Sequence, residues 1–205
     1  MRGILFKAEM IEAIVEGRKT VTRRILNPQP PSNIVIILPR SEIVDREFPN
    51  GTPADWKGKS KYSVGDIVYI KEAWCEDSTG EKIHYKKDGG ESPGPKVYFG
   101  KDKKWHDYKH PFWRSPMFMP EKFARYSIKI TSVRAERLQD ITEEDMVKEG
   151  IEKSAEGPFF YHLLDNKMEA WHNFKTGREA YEYLWDSINK KTPWTSNPWV
   201  FVYTF

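Results

Sequence analysis

The stretch RYSIKITSVRAERLQDITEEDMVKEG, residues 125–150, joins a strand pattern to a helix pattern. In its first part Ile128 and Ile130 alternate with polar neighbours, the period of two that is typical of a half-buried β-strand. In its second part Thr142 precedes three acidic residues and Gly150 comes just past the apolar positions. The sequence therefore predicts a short helix that Thr142 caps and Gly150 ends.

Outward from this stretch, further segments predict regular structure. A Gly-Asp turn opens a β-rich run in YSVGDIVYIKEAW (62–74), a β-prone strand closes the chain in NPWVFVYTF (197–205), and a helix pattern fills TGREAYEYLWDSINKK (176–191). In that helix a capping box and a buried stripe are expected; the box is Thr176 and Glu179, and the stripe is Ala180, Tyr183, Leu184 and Ile188. Strands separated mostly by loops favour an α+β fold, a small and mainly antiparallel β-barrel decorated with helices.

Length and composition predict a single domain over residues 1–205, with two insertions. The chain has 205 residues and 39% of them are hydrophobic, which is enough for an ordinary core. The segments of about 27–62 and 76–122 are loop-like, except for one apolar run, IVIIL (34–38), that is expected to pair as a strand. The net charge is only +3, so any anion site must be a local cluster.

The same sequence predicts a cytoplasmic protein with no membrane partner. Its single cysteine, Cys75, excludes an internal disulfide and fits a reducing compartment. The N-terminal residues lack the apolar run of a signal peptide, and no segment approaches the roughly 20 apolar residues of a membrane span. A monomer is favoured.

The stretch EGRKTVTRR, residues 16–24, concentrates four basic side chains whose mutual repulsion opposes folding. It follows a short amphipathic helix pattern, AEMIEAIVE (8–16), with Gly17 placed as a C-cap. Taken alone, the cluster predicts either a binding site for phosphate or carboxylate, or a solvated edge. A third interpretation is that the charges disfavour the ammonium form of Lys19.

Three of these pieces in this order resemble the ASCH family: E-G-R-K-T-x-T-R-R, V-G-D-I-V-Y-I-K-E-A-W and L-Q-D-I-T-E-E-D-M-V-K-E-G. With its insertions and its terminal N-P-W-V-F-V, the chain is similar to long members met in phage genomes. The resemblance implies a PUA-like β-barrel. Some compact members deacylate N4-acetylcytidine with a lysine, a threonine and a glutamate, and the matching positions here are Lys19, Thr22 and Glu149.

These residue types suit amide hydrolysis, which needs a nucleophile, a base and a proton donor. Thr22 supplies a hydroxyl. A general base works best at neutral pH when its own pKa is near 7, so the pKa of Lys19 must fall from about 10.4. Burial and the neighbouring arginines act in that direction. In a straight strand, positions i and i+3 face opposite sides, so the two side chains converge only if Lys19 lies in the turn after Gly17 or the strand is bulged.

Glu149 and several other residues are candidates for proton transfer or binding. Glu149 falls in the last turn of its helix, three positions after apolar Met146, a place that suits a proton donor to a leaving amine. Glu72 either faces solvent or accepts from a base amino group, and Trp74 is either a stacking platform or part of the core. The predicted substrate-binding residues are Arg23, Arg24, Glu72, Trp74, Trp113 and Arg114.

The favoured function is therefore hydrolysis of an acyl amide on the exocyclic nitrogen of cytidine, with no metal and no organic cofactor. The partner is a pyrimidine nucleoside or a base in RNA or DNA. The basic and aromatic stretch KDKKWHDYKHPFWR (101–114) suits such a ligand, or is a solvated loop pinned by its aromatic residues. The alternatives are a non-catalytic reader of a modified base or RNA, a ribonuclease, and a phage assembly factor that binds protein.

Overall fold

A computed structural model describes residues 1–30, 60–76, 82–88, 97–99, 101, 105–107, 113–155, 159–165 and 168–205. The predicted strand at 34–38 and most of the first insertion lie outside these residues. The described part contains three α-helices, namely α1 (Ala8–Val15), α2 (Glu143–Lys148) and α3 (Gly177–Ile188). None of its helices is long and apolar enough to cross a membrane.

Thirteen strands accompany the helices in the described residues: β1 (Arg2–Leu5), β2 (Val21–Ile25), β3 (Ile67–Lys71), β4 (Trp74–Glu76), β5 (Ile83–Tyr85), β6 (Val97–Phe99), β7 (Trp105–Asp107), β8 (Ser127–Lys129), β9 (Ser132–Arg137), β10 (Glu152–Lys153), β11 (Phe159–Asp165), β12 (Met168–Phe174) and β13 (Trp199–Thr204). They form sheets in the orders β1-β3-β8, β10-β11-β12, β2-β13-β9, β4-β5 and β6-β7. β1 and β3 are parallel, whereas β13 is antiparallel to both of its neighbours. The prediction of a fold that mixes helices with small antiparallel sheets is confirmed.

The chain divides into two compact units. Unit 1 comprises Met1–Ala8 and Ile67–Ile128, and unit 2 comprises Glu9–Asp66 and Lys129–Phe205. The predicted insertion 76–122 belongs to unit 1 and is less loop-like than expected, because β4 pairs with β5 and β6 with β7 as antiparallel ladders.

The sheet β2-β13-β9 builds the centre of unit 2, and the alternation of its side chains separates two faces. Val21, Val200 and Val202 lie in one apolar cluster with residues of α2 and α3. Thr22 lies opposite Tyr203 in the ladder, so both side chains project from the other face of the sheet. Both of these residues are buried as well.

Helix α3 begins as predicted but turns a different face to the core. The Thr176 side chain accepts a hydrogen bond from the backbone N–H of Glu179 at 3.2 Å. The predicted stripe is wrong at two positions, since Tyr183 is 41% exposed and Ile188 is 40% exposed. The helix instead buries Ala180, Tyr181, Leu184 and Trp185. The stripe at i, i+3 and i+4 therefore starts at Tyr181, which brings a phenol into the interior.

Candidate functional site

Lys19 lies in the turn between α1 and β2, as convergence with Thr22 requires. Gly17 ends the helix with a positive φ of 75°, a conformation that glycine adopts without a steric penalty. The backbone N–H of Lys19 then donates to Ala13 O at 2.9 Å. The prediction that Lys19 follows a turn at Gly17 is confirmed.

The Lys19 amine is buried and has three acceptors. Its residue is 1% exposed, and Nζ donates to Glu149 Oε2 at 2.5 Å, to Glu149 O at 2.8 Å and to Val21 O at 2.9 Å. The bond to Val21 O sets the amine beside the peptide that leads into Thr22, within about 6 Å of its Cα by standard bond lengths.

Glu149 reaches the amine because α2 stops at this residue. Thr142 caps the start of the helix by accepting from the N–H of Asp145 at 3.1 Å, and Gly150 turns the chain after the end with a φ of 101°. The backbone N–H of Thr20 donates to Lys148 O at 2.9 Å, which joins the helix end to the Lys19 turn. Glu149 itself is 4% exposed.

The second carboxylate oxygen of Glu149 has two donors of its own. Arg23 Nη1 lies 3.3 Å from Oε1, and the hydroxyl of Tyr181 donates to the same atom at 3.2 Å. Lys19 occupies Oε2. Two parts of the chain that are far apart, residues 19–23 and Tyr181, thus hold one buried carboxylate.

Arg23 is bonded to two further acids, so its charge is balanced within the protein. Its Nη2 lies 2.7 Å from Glu136 Oε1 and 2.6 Å from Asp145 Oδ2. Arg134 pairs with the same two carboxylates. For Lys19 and Arg23, the solvated-edge interpretation is therefore wrong, and their charges are paired with carboxylates of the chain itself rather than presented to a ligand phosphate.

The other two basic residues of the cluster differ from each other. Arg18 is exposed and pairs with Glu16 and Glu152. Arg24 is half-buried and shares its face of β2 with Thr22, because the two positions are two apart. Glu149, Tyr62, Tyr181 and Tyr203 all act electrostatically on the Arg24 guanidinium. Arg23, which lies between Thr22 and Arg24 in the strand, projects from the opposite face of β2 and contacts Glu149 directly.

Burial lowers the pKa of Lys19 below its ordinary value of 10.5, although the carboxylate of Glu149 opposes this. Arg24 and Arg23 act in the same direction as burial, as expected from the sequence. Burial also lowers the pKa of Arg24. The site thus disfavours positive charge at the amine more than water does.

A groove on unit 2 borders Glu149. Its lining includes Glu149 and Gly150, the α1 residues Glu9, Glu12 and Ala13, and Arg18 and Glu152. Most of the charged groups along it are carboxylates.

Tyr181 is the site residue that the sequence analysis missed. Its ring packs edge-on against Trp194, with centroids 6.0 Å apart. Burial raises the pKa of Tyr181 well above the ordinary value of 10.0, and Glu149 adds to the effect. The sequence signal that could have indicated Tyr181 is the i, i+3, i+4 spacing of Tyr181, Leu184 and Trp185, which competes with the predicted stripe.

The remaining predicted binding residues belong to unit 1. Glu72 is 3% exposed, so of its two predicted alternatives the solvent-facing one is wrong. Arg125 donates to its two carboxylate oxygens, from Nε at 2.9 Å and from Nη2 at 2.9 Å. Asp88 accepts a further bond from Arg125 at 2.8 Å. Glu72 is thus the buried partner of a bidentate ion pair with a part-buried arginine.

Trp74 is buried against Phe123, with ring centroids 4.9 Å apart. Arg114 covers the Trp74 ring at 4.8 Å and pairs with Glu76 at 3.1 Å. This packing matches the core interpretation of Trp74. Trp113 is half-buried and Arg114 is exposed. Substrate binding by these residues stays a prediction.

Comparison of the chain with models of known protein families, with curated protein sequences and with solved structures finds no match.

Proposed function

We propose that the chain is an ASCH-type amidohydrolase, built on a PUA-like β-barrel, that removes the acyl group from the exocyclic nitrogen of an N4-acylated cytidine. One observation carries the proposal. The buried Lys19 amine lies 2.5 Å from Glu149 Oε2, although 130 residues separate them in the chain. This pair, beside the hydroxyl-bearing Thr22, is the set that the motif resemblance implies.

The first step generates a base from the ion pair. A proton moves from Lys19 Nζ to Glu149 Oε2, which converts two charges into two neutral groups. Burial favours such a change, because desolvation penalises the charged forms. The neutral amine then takes the proton of the Thr22 hydroxyl as its oxygen attacks the acyl carbon.

The second step releases the nucleoside. The C–N bond of the tetrahedral intermediate breaks, Glu149 gives its proton to the leaving amino group of cytidine, and the acyl group remains as an ester on Thr22. Water then attacks that ester; its proton passes through the Lys19–Glu149 pair to the Thr22 oxygen as the acyl C–O bond breaks, and the carboxylic acid leaves. The pair and the threonine return to their starting states.

A second candidate, a binding module for a modified base or RNA, is supported by the coordination of Lys19. An ammonium has three N–H donors, and Nζ has three acceptors. In this candidate the ion pair is a fixed structural element and the site holds its ligand without turning it over. The ribonuclease alternative has less support, since Arg23 is already bonded to three carboxylates.

Incubation with N4-acetylcytidine, followed by chromatography of released cytidine, separates the candidates. The amidohydrolase predicts turnover that Lys19→Met and Glu149→Gln each abolish. The matched control is Glu144→Gln, which removes one carboxylate from the exposed pair with Lys148 and is expected to keep turnover. Binding of the nucleoside without turnover would support the module instead, and neither binding nor turnover would refute both.

A further inference from the structure

Tyr181 lies outside the three motifs that carry the family resemblance, yet it contacts the carboxylate at the centre of the site. Its hydroxyl donates to Glu149 Oε1 at 3.2 Å. The residue is buried and belongs to α3, whereas Glu149 ends α2. The contact therefore links the orientation of the carboxylate to the packing of a separate helix.

The two oxygens of Glu149 are differently occupied. A carboxylate offers about four lone-pair positions, two on each oxygen. Tyr181 and Arg23 both contact Oε1. Lys19 Nζ occupies one position on Oε2. Among the described residues, the donors to Glu149 therefore leave the second position on that oxygen for another partner.

We propose that Tyr181 is a positioning residue which, together with Arg23, saturates Oε1 of Glu149 and so confines proton exchange to Oε2. The inference rests on the proposed amidohydrolase function and extends it, because it assigns the proton shuttle to one oxygen. Tyr181 itself touches no substrate in this scheme. It acts by fixing the rotation of the carboxylate, so that Oε2 faces both Lys19 and the leaving amine.

The surroundings of Tyr181 fit a fixed donor. The Tyr181 ring packs edge-on against Trp194, with ring centroids 6.0 Å apart. Trp194 is fixed in turn, because its backbone N–H donates to Asp186 Oδ1 at 2.7 Å. Burial raises the pKa of the Tyr181 phenol, so the hydroxyl keeps its proton across the working range. The charged groups around the contact between Tyr181 and Glu149 are Lys19, Arg23 and Arg24. Glu136 and Asp145 lie behind Arg23.

The test is Tyr181→Phe, which removes only the hydroxyl and keeps the ring. The matched control is Tyr183→Phe on the same helix, since Tyr183 is exposed. The expected loss in kcat is about tenfold to a hundredfold, the usual effect of deleting a hydrogen bond to a charged group. KM stays within about twofold, because the substrate loses no contact.

The pH dependence distinguishes positioning from a merely structural role. Without the donor the carboxylate is less well stabilised, so the acid limb of the pH–rate profile, which reports protonation of the Lys19–Glu149 pair, moves to higher pH. An unchanged kcat and an unchanged limb in Tyr181→Phe would overturn the proposal while the amidohydrolase stands.

A second readout needs no activity. The 13Cε and 15Nζ signals of Lys19 are followed through a pH titration in the wild type, in Tyr181→Phe and in Tyr183→Phe. The proposal predicts an upward displacement of the midpoint in Tyr181→Phe alone, because the Glu149 carboxylate, which raises the pKa of Lys19, loses a competing donor. If the wild type proves inactive, the proposed function fails; coincident titration curves in all three proteins would then refute the role of Tyr181 separately.

Discussion

Replacing Glu149 by glutamine should strongly destabilise unit 2, because it leaves the Lys19 ammonium buried without its anion. The substitution keeps the shape of the side chain and removes one charge. At an effective dielectric constant of about 20, two unit charges separated by the 2.5 Å of this contact attract by about 7 kcal/mol. Desolvation already offsets part of that attraction, and breaking one partner of a buried pair typically costs about 3–5 kcal/mol.

We therefore expect the free energy of unfolding of Glu149→Gln to fall by about 3–5 kcal/mol at neutral pH. For a chain of this size that corresponds to a Tm lower by roughly 6–20 °C. Urea denaturation followed by circular dichroism measures the difference. The matched control, Glu152→Gln, removes an exposed partner of Arg18 and should cost at most about 1 kcal/mol.

The effect should also depend on pH with a defined sign. Burial holds the pKa of Lys19 below 10.5 in the folded protein, so between the two values the unfolded chain binds more protons and stability rises with pH. In Glu149→Gln the opposing carboxylate is gone, the Lys19 pKa falls further, and the rise begins at lower pH. The destabilisation should therefore shrink as the pH rises towards 10.5. A loss no larger than that of Glu152→Gln, or one that grows with pH, would refute the reasoning.

Three further changes test other parts of the structure. Gly150→Ala should lower the free energy of unfolding by about 1–3 kcal/mol through backbone strain, since φ is 101° while the nearest atoms to a new Cβ are 3.7 Å away; urea denaturation checks it, and an unchanged midpoint contradicts it. Glu72→Gln should cost about 2–4 kcal/mol, because it removes the buried charge that pairs with part-buried Arg125, whereas exposed Asp88→Asn should cost less than about 1 kcal/mol. Equal losses in thermal melts of the two variants would contradict the pairing of Arg125 with a buried carboxylate. Thr22→Val should reduce release of cytidine from N4-acetylcytidine by at least about a thousandfold with little change in Tm, whereas retained turnover would exclude Thr22 as the nucleophile.

The parts of the fold that follow from local chemistry could be predicted from the sequence. Thr142 caps α2 and Gly150 ends it because a side-chain acceptor and a positive φ are needed at those places, and both needs are visible in single residues. The strand that closes the chain is β13, which a run of β-branched and aromatic residues predicts.

Other elements left weaker signals. The segments of β11 and β12, FFYHLLD and MEAWHNF, pair in register over their whole lengths. Neither segment shows a regular alternation of apolar and polar residues, so periodicity alone did not separate them from loop. Helix α3 was predicted as an element but in the wrong phase, because Tyr183 and Tyr181 are both aromatic and only tertiary packing decides which one is buried.

The candidate site depends on contacts between residues distant in sequence, and these could not be read from composition or spacing. Arg23 meets Asp145 across 122 positions and Glu136 across 113. The sequence has four basic residues within nine consecutive positions, a pattern that is typical of an open anion site. The acids that pair with Lys19 and Arg23 come from β9, from α2 and from Glu149 at the end of α2, and they meet these residues only when the fold brings the elements together. The pairing of Lys19 with Glu149 was expected from the family resemblance and not from the residues themselves.

The most direct test of this account is an NMR titration of the Lys19 side chain, observed through its 13Cε and 15Nζ signals in the wild type and in Glu149→Gln. The account predicts a midpoint below the ordinary value of 10.5 in the wild type and a further fall in the variant. A wild-type midpoint at or above 10.5, unaffected by Glu149→Gln, would mean that the amine is not the buried partner of that carboxylate and could not act as a base.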